Sequence, residues 1–271
     1  MAYEHPGGGA LDYCPCRYGR SKLLFRGPRR RLTGPYVAAL GGTETYGKYV
    51  VRPWPELLED RLGLQVPNFG CMNAGVDVFL SDPQVAEIAA AARLTVLQLM
   101  GPQNMSNRFY AVHPRRNDRF LRASAAMRAV YREVDFTEFN FTRHMLSALR
   151  ERYPERFDQM ANEMRAAWVA RTRTLLERIG GRVVLLWVGS HRIGGAADPV
   201  PIDAGMVAEL GDLAMQTVRV EPSMTARTAA TAGMWFGALE EPAAAEMPGP
   251  MVHAEVAEAL VPVLGRLLGG A

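Results

Sequence analysis

Three short apolar runs, each cut off by a turn of glycines and amides, restrict this chain more than any other feature. Residues 36–40 stop at Gly41-Gly42, residues 64–69 run into a loop that closes at Gly75, and residues 94–100 end in Gly101-Pro-Gln-Asn-Met-Ser-Asn107. Runs of this length bounded by turn residues read as buried strands. Helical signals separate them. Pro55 opens a helix with Leu57, Leu58 and Leu62 inward and Gly63 as its stop. Asp82-Pro83 reads as a cap followed by a first-turn proline, with Val85, Ile88 and Ala92 on the buried side. Two more apolar runs, 182–188 and 216–220, give strands four and five. A final helix from about His253 carries Val256, Leu260, Val263, Leu264 and Leu267, with Pro262 expected to kink it. Strand and helix alternate about five times, so the expected fold is a three-layer α/β/α domain. Its sheet is doubly wound, mainly parallel and five-stranded.

Two segments exceed that alternation. About eighty residues separate strands three and four, more than one crossover helix needs. Phe157, Met160, Met164, Trp168, Leu175 and Ile179 form one helical stripe, read as core. Residues 104–155 before it are read as a helical insertion within the domain, over the edge of the site. Residues 1–33 form a basic arm, in which Arg17, Arg20, Lys22, Arg26, Arg29, Arg30 and Arg31 face only Glu4 and Asp12. Its Tyr13, Tyr18, Leu23, Leu24 and Phe25 are too apolar for a free tail, so it is expected to dock. The whole, 1–271, is read as one domain.

Composition narrows the function classes. A net charge of +3 over 271 residues implies no partner by itself. The basic runs lack the interleaved aromatics of a nucleic-acid platform. No apolar run reaches membrane-spanning length, and residues 1–10 lack the apolar core of a signal peptide. Cys14 and Cys16 flank one proline, too close for easy disulfide geometry, and Cys71 stands alone. The expectation is a cytoplasmic protein with no metal and no cofactor. Lys48 lacks the glycine spacing of a phosphate-binding loop.

In an open α/β sheet the three loops converge outside the strands' carboxyl ends. Their contents resemble the SGNH (GDSL-like) hydrolase superfamily. Gly41-Gly42-Thr43-Glu44-Thr45 stands where that family has Gly-Asp-Ser-x-Thr. Residues 68–75 look like its glycine block, Gly101-Pro-Gln103-Asn104 like its Gly-x-Asn-Asp block, and Pro250-Met-Val-His253 like its Asp-x-x-His block. The departures are threonine at the nucleophile position, Gly42 before it, and Pro250 at the triad acid. The asparagine block is shifted by one, so Gln103 and Asn104 compete for that role.

The resemblance implies acyl transfer. Thr43 would be nucleophile and His253 its base, with N–H groups near Thr43 and Gly70 or Gly75 and the Asn104 amide as oxyanion donors. Glu44, Thr45 and Asn107 would line the substrate side. Arg115, Arg116 and Arg119, with forked guanidinium groups, are candidates for an anionic substrate group. Each has a plainer reading beside it: a turn hydroxyl for Thr43, a satisfied structural ring for His253, a solvated loop for the arginines, a buried core thiol for Cys71. The activity implied is that of an esterase or acyltransferase, and with the arginines the resemblance implies a small polar or anionic molecule or a glycan as substrate. Its rivals are a binding protein with a degraded triad and a group transferase holding an anionic donor.

Overall fold

β1 (Val37–Gly41) is buried along its whole length. Val37 and Ala39 belong to one core, Ala38 and Leu40 to another, which is the two-residue period of a strand. A central parallel strand is covered on both faces, and this is why the run carries no polar side chain. The computed structural model describes residues 11–193 and 198–269; the first ten residues of the expected arm lie outside them.

After β1 come the one-turn α1 (Thr43–Tyr46), α2 (Trp54–Leu62), β2 (Asn68–Gly70), α3 (Val76–Leu80), α4 (Pro83–Ala91) and β3 (Leu94–Gln98). Then follow β4 (Tyr110–His113), β5 (Arg116–Ala123), α5 (Ala125–Val130), α6 (Thr142–Arg152) and the long α7 (Pro154–Ile179). The chain ends with β6 (Val183–Val188), α8 (Ala204–Ala208), β7 (Gln216–Val220), α9 (Met224–Ala229), α10 (Glu241–Ala244) and α11 (Pro250–Gly269). The main sheet has the order β2-β1-β3-β6-β7, and every pairing in it is parallel. Counted within the sheet this is 2-1-3-4-5, the flavodoxin-like doubly wound order, with its switch point between β1 and β3. Trp54 and Leu58 of α2 with Val256 and Leu260 of α11 cover one face. Val85 and Ile88 of α4 with Trp168 and Leu175 of α7 cover the other.

Local signals act as expected at several ends. Asp82 accepts from Val85 N at 3.3 Å, and α2 stops at Gly63 with φ 61°, a left-handed cap that glycine adopts without strain. β2 is shorter than the apolar run suggests. Pairing begins at the Tyr36–Gln65 bridge, but Pro67 has no N–H to give the ladder and only its carbonyl is used, by Ala39 N at 3.2 Å. Pro262 lies inside α11, which runs as one helix from Pro250 to Gly269. An interior proline costs about 3 kcal/mol. Burying Val256, Leu260, Val263 and Leu264 on both sides of it returns about 1.5–3 kcal/mol each, so packing wins.

The insertion carries α5 and α6 and leads into α7, but it opens with an antiparallel hairpin, β4–β5. Its own core gathers Tyr110, Phe120, Tyr131, Phe136, Leu146 and Phe157. The stripe on α7 is therefore divided: Phe157, Met160 and Met164 serve the insertion, Trp168, Leu175 and Ile179 the sheet. The arm docks. Tyr18 and Phe25 are buried against Phe69, with ring centroids at 4.9 and 5.3 Å. Arg26 is buried too, and donates to the carbonyls of Tyr46, Gly47 and Val51. No helix among the described residues is long and apolar enough to cross a membrane.

Candidate functional site

The register Leu40↔Leu97 places the end of β1 beside Gln98, the last residue of β3. Gln98 is buried, and its amide organises the turn after β1. Its Oε1 accepts from Gly42 N at 2.9 Å and from Thr45 Oγ1 at 3.0 Å. Its Nε2 donates to Leu99 O at 3.0 Å and, at 3.5 Å, to Glu44 Oε2. A β-carbon on Gly41 would run into Thr45 Oγ1 and the Gln98 side chain, so glycine closes the strand here because two side chains need its space.

Thr43 begins α1 and is buried; its Oγ1 accepts from Asn73 N at 2.8 Å. The hydroxyl is thereby held by the second loop while its own proton stays free to donate. Both glycine N–H groups considered as oxyanion donors are already engaged. Gly70 N donates to Asn68 Oδ1 at 2.8 Å, and Asn68 Nδ2 reaches back to Thr45 O at 2.8 Å. Gly75 N and Val78 N donate to Asn117 Oδ1 at 3.0 and 3.2 Å, so a fully buried hairpin asparagine caps α3. A side chain at Gly75 would strike the Asn104 carbonyl.

In the third loop, Asn104 Oδ1 accepts from Thr142 Oγ1 at 3.0 Å, which ties the start of α6 to the site. The Gln103 carbonyl accepts from Tyr110 Oη at 2.9 Å, while its side-chain Oε1 is buried with no hydrogen-bond partner among the described residues. Asn107 folds onto its own backbone, accepting from Phe109 N at 2.8 Å and Tyr110 N at 3.2 Å, a local asparagine turn. Arg115, Arg116 and Arg119 lie exposed on the hairpin, with Arg119 over the Phe141 ring at 4.9 Å. None of their described hydrogen bonds or ion pairs reaches the Thr43 turn.

His253 sits in the first turn of α11, 2% exposed. Its Nδ1 accepts from Trp54 N at 3.1 Å. Trp54 opens α2 behind Pro53, which has no capping side chain, so the imidazole satisfies one of the helix's orphan N–H groups from a distant element. This sets the tautomer: the proton is on Nε2, which is buried and has no hydrogen-bond partner among the described residues. Burial first, then the charges of Arg26 and His191, lower the pKa to about 3. The ring is thus neutral at physiological pH, and its lone pair is occupied. Among the described residues, no carboxylate is a hydrogen-bond partner of the ring.

A second polar group gathers side chains from α1, the turn after β6, the start of α6 and the segment before α11. His191, just past β6, donates from Nε2 to Glu246 O at 3.1 Å; a carbonyl only accepts, so Nδ1 carries the lone pair. Burial lowers its pKa. The Glu246 carboxylate pairs with Arg192, and with Arg143 at 3.5 Å; Arg143 also meets Asp198 at 3.7 Å. Glu44 is half-buried, and its pKa is raised by burial first and by Asp198 next, with Gln98 and Arg143 opposing. Among the described residues, no three His, Cys, Asp or Glu side chains are grouped as a metal site. Cys71 is buried and its thiol pKa is raised by that burial, the core role rather than that of a nucleophile.

Sequence reading missed Gln98, Asn73, Asn117, His191, Arg143 and Arg192. Only His191 carried a usable signal: like Thr43 it directly follows a strand's carboxyl end, the place where such sheets collect ligands. No curated protein matches the chain significantly. A family description, Domain of unknown function (DUF6473), matches residues 1–268, and the chain belongs to that family.

Proposed function

We propose that this chain is an SGNH-like protein whose crevice above β1, β3 and β6 binds a small polar molecule or glycan. In this reading Glu44, Arg143, His191, Arg192 and Glu246 are the contacting groups, and the Thr43–His253 pair performs no acyl transfer. The strand order and the switch point beside Gln98 support the fold resemblance. One observation carries the functional part: His253 Nδ1 accepts the Trp54 N–H. A base must offer a lone pair to the nucleophile's proton, and this ring offers only an N–H. The test is hydrolysis of p-nitrophenyl acetate by wild type and by Thr43→Ala. Equal, background-level rates are expected; a rate that Thr43→Ala abolishes would overturn the reading.

Acyl transfer on Thr43 keeps a second reading through His191. Its Nδ1 lone pair is present at neutral pH because Nε2–H is committed to Glu246 O. On this reading His191→Ala removes esterase activity and His253→Gln leaves it. Activity would also fall as pH drops through a pKa below the usual histidine value.

A further inference from the structure

The insertion, like the arm at residues 1–33, is a basic part of the molecule. Residues 104–155 hold ten arginines against six carboxylates, an excess larger than the net +3 of the whole chain. Some surface arginines pair with acids, as Arg108 with Glu163 and Arg173 with Asp212. On β5 and its turn they do not: Arg115, Arg116, Arg119 and Arg122 are exposed, and none makes an ion pair among the described residues. Asp118, on the same strand, is half-buried; burial raises its pKa, with the charges of Arg119 and Arg116 opposing.

Large apolar side chains stand exposed among them. Leu121, between Arg119 and Arg122, is 53% exposed; Phe141, under Arg119, is 43% exposed. The buried positions of the strand are filled by Asn117, Phe120 and Ala123, which leaves Leu121 on the outer side with the arginines. A hairpin braced beneath by its own aromatic core thus presents guanidinium groups interspersed with a leucine and a phenylalanine.

We propose that this face docks on an anionic phospholipid surface. The guanidinium groups match lipid phosphates and carboxylates, while Leu121 and Phe141 enter the boundary between headgroups and acyl chains. The apolar pair decides the occupant. A nucleic acid or other hydrophilic polyanion would engage the arginines alone, whereas a lipid surface uses both. Each basic residue near an anionic bilayer adds about fivefold to partitioning, so four arginines suffice for reversible, salt-sensitive attachment without any spanning helix.

The experiment is co-sedimentation of the full chain with phosphatidylcholine vesicles, with and without phosphatidylserine, at low and high salt. The expected result is binding only to vesicles containing phosphatidylserine, released by salt. Arg116→Glu with Arg122→Glu should lower partitioning by twentyfold or more. Leu121→Ser should weaken binding severalfold with the charge unchanged. Both variants lie on the surface, and unchanged melting curves would show that they fold. Three outcomes would overturn the proposal: no binding, equal binding to neutral vesicles, or binding to a DNA duplex that matches the vesicle binding and is indifferent to Leu121→Ser.

Discussion

Replacing Gln98 with leucine tests whether one buried amide sets the shape of the turn after β1. Leucine is close to glutamine in volume and suits a buried strand end, so the transfer term favours the variant. The hydrogen-bond term opposes it. Gly42 N–H and Thr45 Oγ1–H lose their acceptor, and Leu99 O loses its donor. Gly42, Thr45 and Leu99 are all buried. A buried donor left unpaired costs about 1–3 kcal/mol. Two orphaned donors therefore put the loss at about 2–6 kcal/mol, against roughly 1–2 kcal/mol regained by the apolar side chain.

The net expectation is destabilisation of up to about 5 kcal/mol, centred near 2–3 kcal/mol. Near 250 residues each kcal/mol moves the melting temperature by about 2–4 °C. Urea denaturation followed by two probes gives the free energy, and a double-mutant cycle isolates the cause. Thr45→Val alone should cost about 1 kcal/mol, because it removes one bond to Gln98 Oε1. In the Gln98→Leu background Thr45→Val should be neutral or stabilising, since it then deletes an orphaned hydroxyl. If Thr45→Val costs the same in both backgrounds, the two residues are not coupled through this bond and the account of the turn is wrong.

Further outcomes follow from other contacts. Gly75→Ala should destabilise by about 3 kcal/mol or more, because the new methyl meets the Asn104 carbonyl; melting temperature or soluble yield reports it. His253 gives a pH signature. Its folded pKa, about 3, is below the unfolded value near 6.5, so the unfolded chain binds the proton first and stability falls as pH drops through that window, by about 1.4 kcal/mol per pH unit at most. Urea curves at pH 7 and pH 5 should therefore show His253→Gln losing about 2 kcal/mol less than wild type; an identical loss would mean that the ring is not buried and neutral. Thiol labelling in native buffer should modify exposed Cys14 quickly and leave Cys71 unreacted until urea is added.

These perturbations divide along the line between what local sequence carries and what it does not. Strand ends, the Asp82 cap and the stripe on α7 were legible because each is a pattern within a few turns of chain. Gln98 was not: it is one polar letter at the end of an apolar run, and its meaning comes from Gly42 and Thr45 on the neighbouring strand's turn. The hairpin was hidden for a related reason. Its pairing is irregular, with no clean alternation: Asn117 lies inside and Leu121 outside, the reverse of what hydropathy suggests, and Asn117 is spent on capping α3. His253 is the strongest case. Its position before the last helix was readable, but a histidine's chemistry depends on which ring nitrogen holds the proton. Here that is decided by Trp54, far away in sequence and joined only through the packing of α2 against α11. The same letters in the same order would serve a base if a carboxylate replaced Pro250 and took the Nδ1 proton. Without that carboxylate, the helix end has claimed the lone pair.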